Sequence, residues 1–291
     1  MKKIIIALCL LGGLFAACQK EDELNPNSIF DTTPPLRNEL DVWLIDNYLN
    51  PYNVEFKYRM EDFESSLSHT LAPADYHKAI VMAKLVKHLW FEAYDEARDI
   101  AFTRKYSPRI IHLIGSRAYN PEGTYLLGQA EGGLKVTLFM INEIDVNNLD
   151  IERLNEDYFN TIHHEFGHIL HQTVNYDPNF KLISEADYVS SNWYLQSELT
   201  AFTKGFVSPY AMNIPDDDFV ETFSRYLTYP PEIWEYLLTL AGSTGRPIIE
   251  QKFNIVKDYM KKVWNIDIEH LKSIIQRRSR EINALDYQNL N

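Results

Sequence analysis

Between Thr161 and Gln172 the chain reads Thr-Ile-His163-His164-Glu165-Phe-Gly-His168-Ile-Leu-His171-Gln, and the pattern H-E-x-x-H lies inside it. On a helix, residues four apart stand one turn above each other on one face, so His164 and His168 can offer imidazole nitrogens to a single tetrahedral zinc ion. Glu165, beside the first of them, can then serve as general base toward a zinc-activated water, which is the chemistry of metal-assisted hydrolysis. His163 points about a hundred degrees off that face. It reads as a packing residue or as one that orients a ligand.

A catalytic zinc takes three protein ligands and keeps one position open. The extended pattern H-E-x-x-H-x-x-G-x-x-H is excluded, because His171 stands at its glycine position and Val174 at its last histidine. His171 is itself a candidate, although one continuous helix rarely folds three ligands around a tetrahedral ion. The other source is the run Asp216-Asp217-Asp218-Phe219-Val220-Glu221, where Asp217 and Glu221 share a helical face. Together they could supply a ligand and an acceptor that orients a ligating histidine. Stabilisation of an acidic first turn by the helix dipole accounts for Asp216 to Asp218 but not for Glu221. Spacing leaves Asp217, Glu221 and His171 open as third ligand.

The elements that must hold these residues are readable in outline. Leu154 to Thr173 predicts the metal-bearing helix, with Asn155 as cap and an apolar face of Phe159, Ile162, Phe166, Ile169 and Leu170. Gly167 costs helix propensity inside the motif and so points to crowding by a neighbouring backbone. Upstream, Pro73 to Ala97 predicts a long scaffold helix behind Asp75, on which His77 and His88 read as polar-face or core residues. Asn53–Met60 alternates like a half-buried strand, while Arg109–Ser116 and Leu134–Ile144 read as strands, the latter buried. The glycines of Tyr119–Gly133 lack phosphate-binding spacing and read as turn residues. Downstream, Phe219–Leu227, Pro231–Leu240, Pro247–Trp264 and Asp267–Ile282 are helical by pattern. Trp193-Tyr194 could line a cleft, with core packing the more ordinary role for such a pair. The expected fold is α+β and zincin-like, with a small mixed sheet, the H-E-x-x-H helix, and a mainly helical C-terminal lobe. Its lobes would be 39–175 and 176–291, and an edge strand would pair with an extended substrate.

The ends and composition bound the compartment. Met1-Lys-Lys and the apolar run to Ala17 form a leader too short to anchor stably across a bilayer. It closes on Leu14-Phe-Ala-Ala-Cys18, which resembles a bacterial lipobox and implies lipidation of Cys18 after removal of residues 1–17. Gln19-Lys-Glu-Asp-Glu23 is similar to signals that export lipoproteins to the outer face of the outer membrane, and 18–38 reads as a tether. Cys9 and Cys18 are the only cysteines. The mature body therefore excludes thiolate zinc sites, cysteine nucleophiles and disulfides. With 45% hydrophobic residues it can bury a large core. The formal charge of -13 becomes -15 once Lys2 and Lys3 are lost, which argues against nucleic acid and against a polybasic membrane patch.

Residues His163–Gln172, with Gly205-Phe-Val-Ser-Pro-Tyr-Ala and Asp218-Phe-Val-Glu221-Thr-Phe, resemble the zinc-binding metallopeptidase family of surface lipoproteins. More distantly the pattern is similar to lethal-factor-type gluzincins. The resemblance implies one zinc ion, with Asp217 as third ligand, Glu221 contacting a ligating histidine and Tyr210 stabilising the oxyanion. Asp217 stands where the family pattern has Glu, which keeps Glu221 in play as the direct ligand. The implied protein is a monomeric, lipid-anchored outer-membrane peptidase exposed at the cell surface and acting on peptides or proteins. The alternative is a weakly active or non-catalytic zinc-binding lipoprotein serving a surface nutrient-uptake complex.

Overall fold

The structure is a computed structural model, and it describes residues 36–60, 69–120, 125–126, 128–131 and 133–290. The leader, Cys18, most of the tether, Gly123 and Gly132 lie outside the described residues. From Asn38 onward the chain forms one compact unit, mostly helical with two small sheets.

It begins with α1 (Glu39–Leu44), opened by a capping box between Asn38 and Asp41 and prolonged by helical turns to Tyr52. β1 (Glu55–Lys57) is all that forms of the strand expected over Asn53–Met60. The scaffold helix follows as α2 (Tyr76–Val86), which runs through a wide π-turn, Lys87–Phe91, into Glu92–Ala97. Asp75 caps it by accepting hydrogen bonds from the backbone N–H groups of His77 and Lys78. His88 packs on its polar side against Arg278 and Glu92, as read from the sequence.

After α3 (Ile100–Tyr106) come β2 (Ile110–Leu113), the short pair β3 (Ala118–Tyr119) and β4 (Tyr125–Leu126), then β5 (Gly128–Glu131) and β6 (Lys135–Leu138). β1, β2 and β6 run parallel, and β5 adds antiparallel to β6 at one edge in the order β1-β2-β6-β5. Val136 and Leu138 on β6 are buried, and so are Ile111 and Leu113 on β2. Between them His112 and Thr137, on the opposite face, are buried too, so these two strands are covered on both faces. The strand expected to reach Ile144 ends at Leu138, because Met140 takes a left-handed conformation (φ 61°) and Ile141–Glu143 turn as a 3-10 helix.

The motif helix α4 (Asn160–Thr173) continues without a break from Ile151–Leu154, capped by Asp150, through the π-turn Asn155–Phe159, so helical backbone covers the expected span and begins three residues before it. Asn155 is not a cap: its side-chain amide donates instead to the carbonyl of Thr228, tying the entry of the helix to a later one. Phe166, on the face away from the metal residues, sits edge-on to Trp90, Tyr94 and Phe102 at centroid distances of 5.6, 5.0 and 6.1 Å. Aromatic edges of this kind fix a helix in rotation as well as position.

The remaining chain is helical: α5 (Asn179–Ile183), α6 (Glu198–Thr203), α7 (Pro215–Thr228), α8 (Pro231–Trp264) and α9 (Ile268–Ser279). α8 joins the two helices expected there and is broken only at Gly242, whose φ of 66° is non-helical. Pro247, five residues past that break, lies inside the second segment, just beyond its first turn.

Candidate metal centre

α7 crosses directly over α4, and Gly167 is the reason it can come so close. A Cβ at that position would lie 2.9 Å from Val220 Cγ1 and 3.2 Å from Phe223 Cδ1. The crowding expected from the sequence is therefore contact with α7, the helix that carries the acidic pair.

That crossing brings three side chains together. His164, His168 and Asp217 each place a donor atom within 4.8 Å of the others. Nε2 of His164 is 3.2 Å from Nε2 of His168, which is 3.3 Å from Oδ1 of Asp217. Ligands held 2.0–2.1 Å from a tetrahedral zinc stand about 3.3 Å apart, so these two separations fit that ion. The proton inventory agrees. Nδ1 of His164 is 2.9 Å from Glu221 Oε1 and donates to it, so the neutral imidazole carries its lone pair on Nε2. Nδ1 of His168 is 2.9 Å from His171 Nε2. When both rings are neutral and His168 donates there, two lone pairs and a carboxylate converge, an arrangement that suits a metal cation.

The three candidates for third ligand thus occupy different places. Asp217 faces the two Nε2 atoms, with its other oxygen accepting from the Asn213 amide at 2.6 Å. Its shorter reach is met by the close approach of α7. Glu221, one turn on, contacts the far nitrogen of His164, and Ser208 and Arg225 donate to its second oxygen at 2.6 and 2.7 Å. Burial alone would push the Glu221 carboxyl up, but Arg225, His164 and Ser208 pull it well below the usual carboxylate range. His171 backs His168 and packs on Tyr176 at 5.6 Å; burial pushes its imidazole down to about 4. His163 is fully buried against Tyr94, with 3.1 Å between Nδ1 and the phenol oxygen.

Glu165 and His164 open onto a cleft of about 770 Å³. Its walls come from Tyr125, Leu126 and Gly128 on one side, Ser191, Trp193, Tyr194 and Tyr210 on the other, and Asn160, Thr161, Glu221 and Arg225 besides. Gly128 belongs to the edge strand β5 and abuts Thr161, where a Cβ would come within 2.5 Å of Cγ2. Tyr210 lies 5.6 Å from the ring of His164 and 4.9 Å edge-on from Trp193. Burial pushes its phenol up, so it remains a proton donor. Burial likewise raises the Glu165 carboxyl, against the opposite pull of the two histidines.

Trp193 and Tyr194 line this cleft rather than the core, and Tyr194 is 65% exposed. Ser208, Asn213 and Arg225 are contributors the sequence reading passed over. Arg225 had a signal, since Asp217, Glu221 and Arg225 recur every four residues on one helical face.

The chain belongs to the family described as "Putative zinc-binding metallo-peptidase", which matches residues 34–269. Among solved structures it is similar to a putative zinc-binding metallo-peptidase from Bacteroides caccae ATCC 43185. That likeness has 47% identity and a TM-score of 0.78 and covers 87% of this chain and 96% of the other. No curated protein matches it.

Proposed function

We propose that this chain is a zinc-dependent peptidase of the zincin type, with His164, His168 and Asp217 holding one zinc ion and Glu165 as general base. The observation that carries the reading is the convergence of the three donor atoms within 4.8 Å of one another beside a carboxylate that lines an open cleft. When bound, zinc supplies Lewis acidity, bringing the pKa of its water toward ~7 and polarising the scissile carbonyl.

The side chains do the rest. Glu165 takes the proton of the attacking water and passes it to the leaving amine; a carboxyl raised by burial suits both roles. Tyr210 donates its phenolic proton to the oxyanion that develops on the substrate. Glu221 holds His164 in the tautomer that frees Nε2, and His171 does the same for His168. β5 offers the edge along which an extended peptide would add as a further strand.

The test is metal analysis of the purified protein followed by peptide cleavage with wild type and Glu165→Gln. One zinc per chain and at least a hundredfold loss in the variant are expected; zinc binding with cleavage unaffected by the substitution refutes the mechanism. Lipid anchoring through Cys18 at the outer membrane is part of the same proposal, on the strength of the lipobox-like sequence. Metabolic labelling with palmitate, abolished in Cys18→Ser, checks it.

A further inference from the structure

Arg225 stands where the cleft and the metal residues meet. It sits one turn beyond Glu221 on α7, and its Nε donates to Glu221 Oε2 at 2.7 Å. That same carboxylate receives the Nδ1 proton of His164 through its other oxygen. One carboxylate therefore separates the guanidinium from a metal-facing histidine. Nη1 of Arg225 is held by the hydroxyl of Tyr229, whereas Nη2 makes no hydrogen bond among the described residues. The side chain is 22% exposed and lines the cleft.

Three points separate this arginine from a simple counter-charge for Glu221. The Nε contact by itself suffices for that role, yet the guanidinium offers further donors that no group among the described residues uses. It is the only lysine or arginine among the described cleft residues, in a chain whose formal charge is -13. The cleft lining also includes Asn120, Asn160, Thr161 and Ser191, neutral hydrogen-bonding side chains, beside the aromatic Trp193, Tyr194 and Tyr210. A guanidinium pinned at two nitrogens is also pre-organised, so little entropy is lost when a planar oxyanion meets its remaining donors.

We propose that Arg225 makes this part of the cleft a carboxylate-recognising subsite, so that the enzyme selects peptides carrying a carboxylate next to the scissile bond. The carboxylate is either an Asp or Glu side chain or the free C-terminus of the peptide. The proposal rests on the peptidase reading, and it adds the substrate class. A neutral amide in place of the carboxylate meets the remaining guanidinium donors less well, although Glu221 still balances the charge, and a partly desolvated polar site discriminates on that difference.

The experiment uses zinc-loaded protein and peptides in matched pairs. One pair differs by Glu against Gln beside the cleaved bond, the other by a C-terminal carboxylate against a carboxamide. For wild type, kcat/KM is expected to favour the carboxylate member of one pair by roughly tenfold or more, the scale of a charge-assisted hydrogen bond. The pair that discriminates identifies the source. In Arg225→Gln that ratio falls to near one, and Arg225→Lys retains part of it. Because each ratio is taken within one variant, loss of overall activity through Glu221 does not imitate the effect.

Equal cleavage of both members by wild type overturns the proposal, as does an undiminished ratio in Arg225→Gln. If Arg225→Gln fails to fold, the wild-type pairs and Arg225→Lys decide. Binding of the same peptides to zinc-loaded Glu165→Gln, followed by fluorescence anisotropy, separates the two readings. A carboxylate preference in binding, lost on adding Arg225→Gln, supports the subsite even where no peptide is cut. Absence of cleavage alone counts against the peptidase reading only.

Discussion

Nδ1 of His164 stands 2.9 Å from Oε1 of Glu221, and this contact assigns different work to two carboxylates one helical turn apart. Glu221 is spent on the far side of the histidine, on Ser208 and on Arg225, while Asp217 alone turns an oxygen toward the Nε2 pair. Substituting the two should therefore give separable results. Asp217→Ala removes a ligand and is expected to abolish stable zinc binding. Glu221→Gln leaves the donor triad but loosens the tautomer of His164, with an expected loss of about 10- to 100-fold in zinc affinity. Competition with a metal chelator measures both. Equal affinities for the two variants would contradict the assignment.

Tyr210 keeps its ring packed against Trp193, yet its hydroxyl has no hydrogen bond among the described residues. A phenol free on the cleft side is available to a developing oxyanion. Tyr210→Phe preserves the ring and removes only the donor, so kcat should fall about 10²-fold with KM little changed. Steady-state kinetics on a peptide cut by the wild type would show it, and a rise in KM alone would reassign Tyr210 to substrate binding.

At Gly167 helix propensity and packing oppose each other. Alanine gains about 1 kcal/mol in propensity, but its methyl meets the β-branched Val220 at 2.9 Å and the ring of Phe223 at 3.2 Å. Overpacking of that kind costs about 1–3 kcal/mol, so Gly167→Ala should be net destabilising. It should also weaken zinc binding, because Val220 lies between Asp217 and Glu221 on the helix that is pushed away. Thermal melts with and without zinc test both effects.

Lys272 gives a pH-dependent case away from the metal. It is 7% exposed, its Nζ lies 4.2 Å from the centroid of Tyr226, and burial pushes its ammonium down to about 8. Between about pH 8 and the unfolded value of 10.5 the unfolded chain binds more protons, so stability rises with pH across that window. Below it the penalty is constant at about 3 kcal/mol, partly offset by about 1 kcal/mol from the cation–π contact. Lys272→Met should therefore raise Tm by several degrees at pH 7, with a gain that shrinks toward pH 10. A gain independent of pH would rule out this origin.

Much of this was legible in the sequence, for local reasons. The H-E-x-x-H face, the crowded Gly167 and the phase of Asp217 with Glu221 follow from helical periodicity alone. The third ligand could not be chosen that way, because Asp217, Glu221 and His171 differ only in how α7 lies on α4. Asn155 looked like a cap and is a tertiary tie to Thr228, since a short polar side chain serves either purpose. Trp193 and Tyr194 looked like core because aromatic residues usually are, and only the fold turns them toward Tyr210 and the cleft.

Asp218, adjacent to the proposed ligand Asp217, is fully buried with Lys252, and their charged atoms are 2.7 Å apart. Lys252 also donates to the carbonyl of Gly205 at 2.9 Å and lies 3.7 Å from the Phe206 ring centroid, while Tyr188 donates to Asp218 at 2.8 Å. This pair clamps the first turn of α7 to α8 and to the Gly205 loop, and so sets where Asp217 stands. Removing one partner strands a buried charge, so Lys252→Met is expected to cost about 3–5 kcal/mol. Adding Asp218→Asn removes that stranded charge and should recover much of the loss. Chemical denaturation of the two singles and the double closes the cycle. Recovery of stability without recovery of zinc affinity would show that the pair's importance is to the placement of Asp217, and strictly additive losses would show that the two residues act independently.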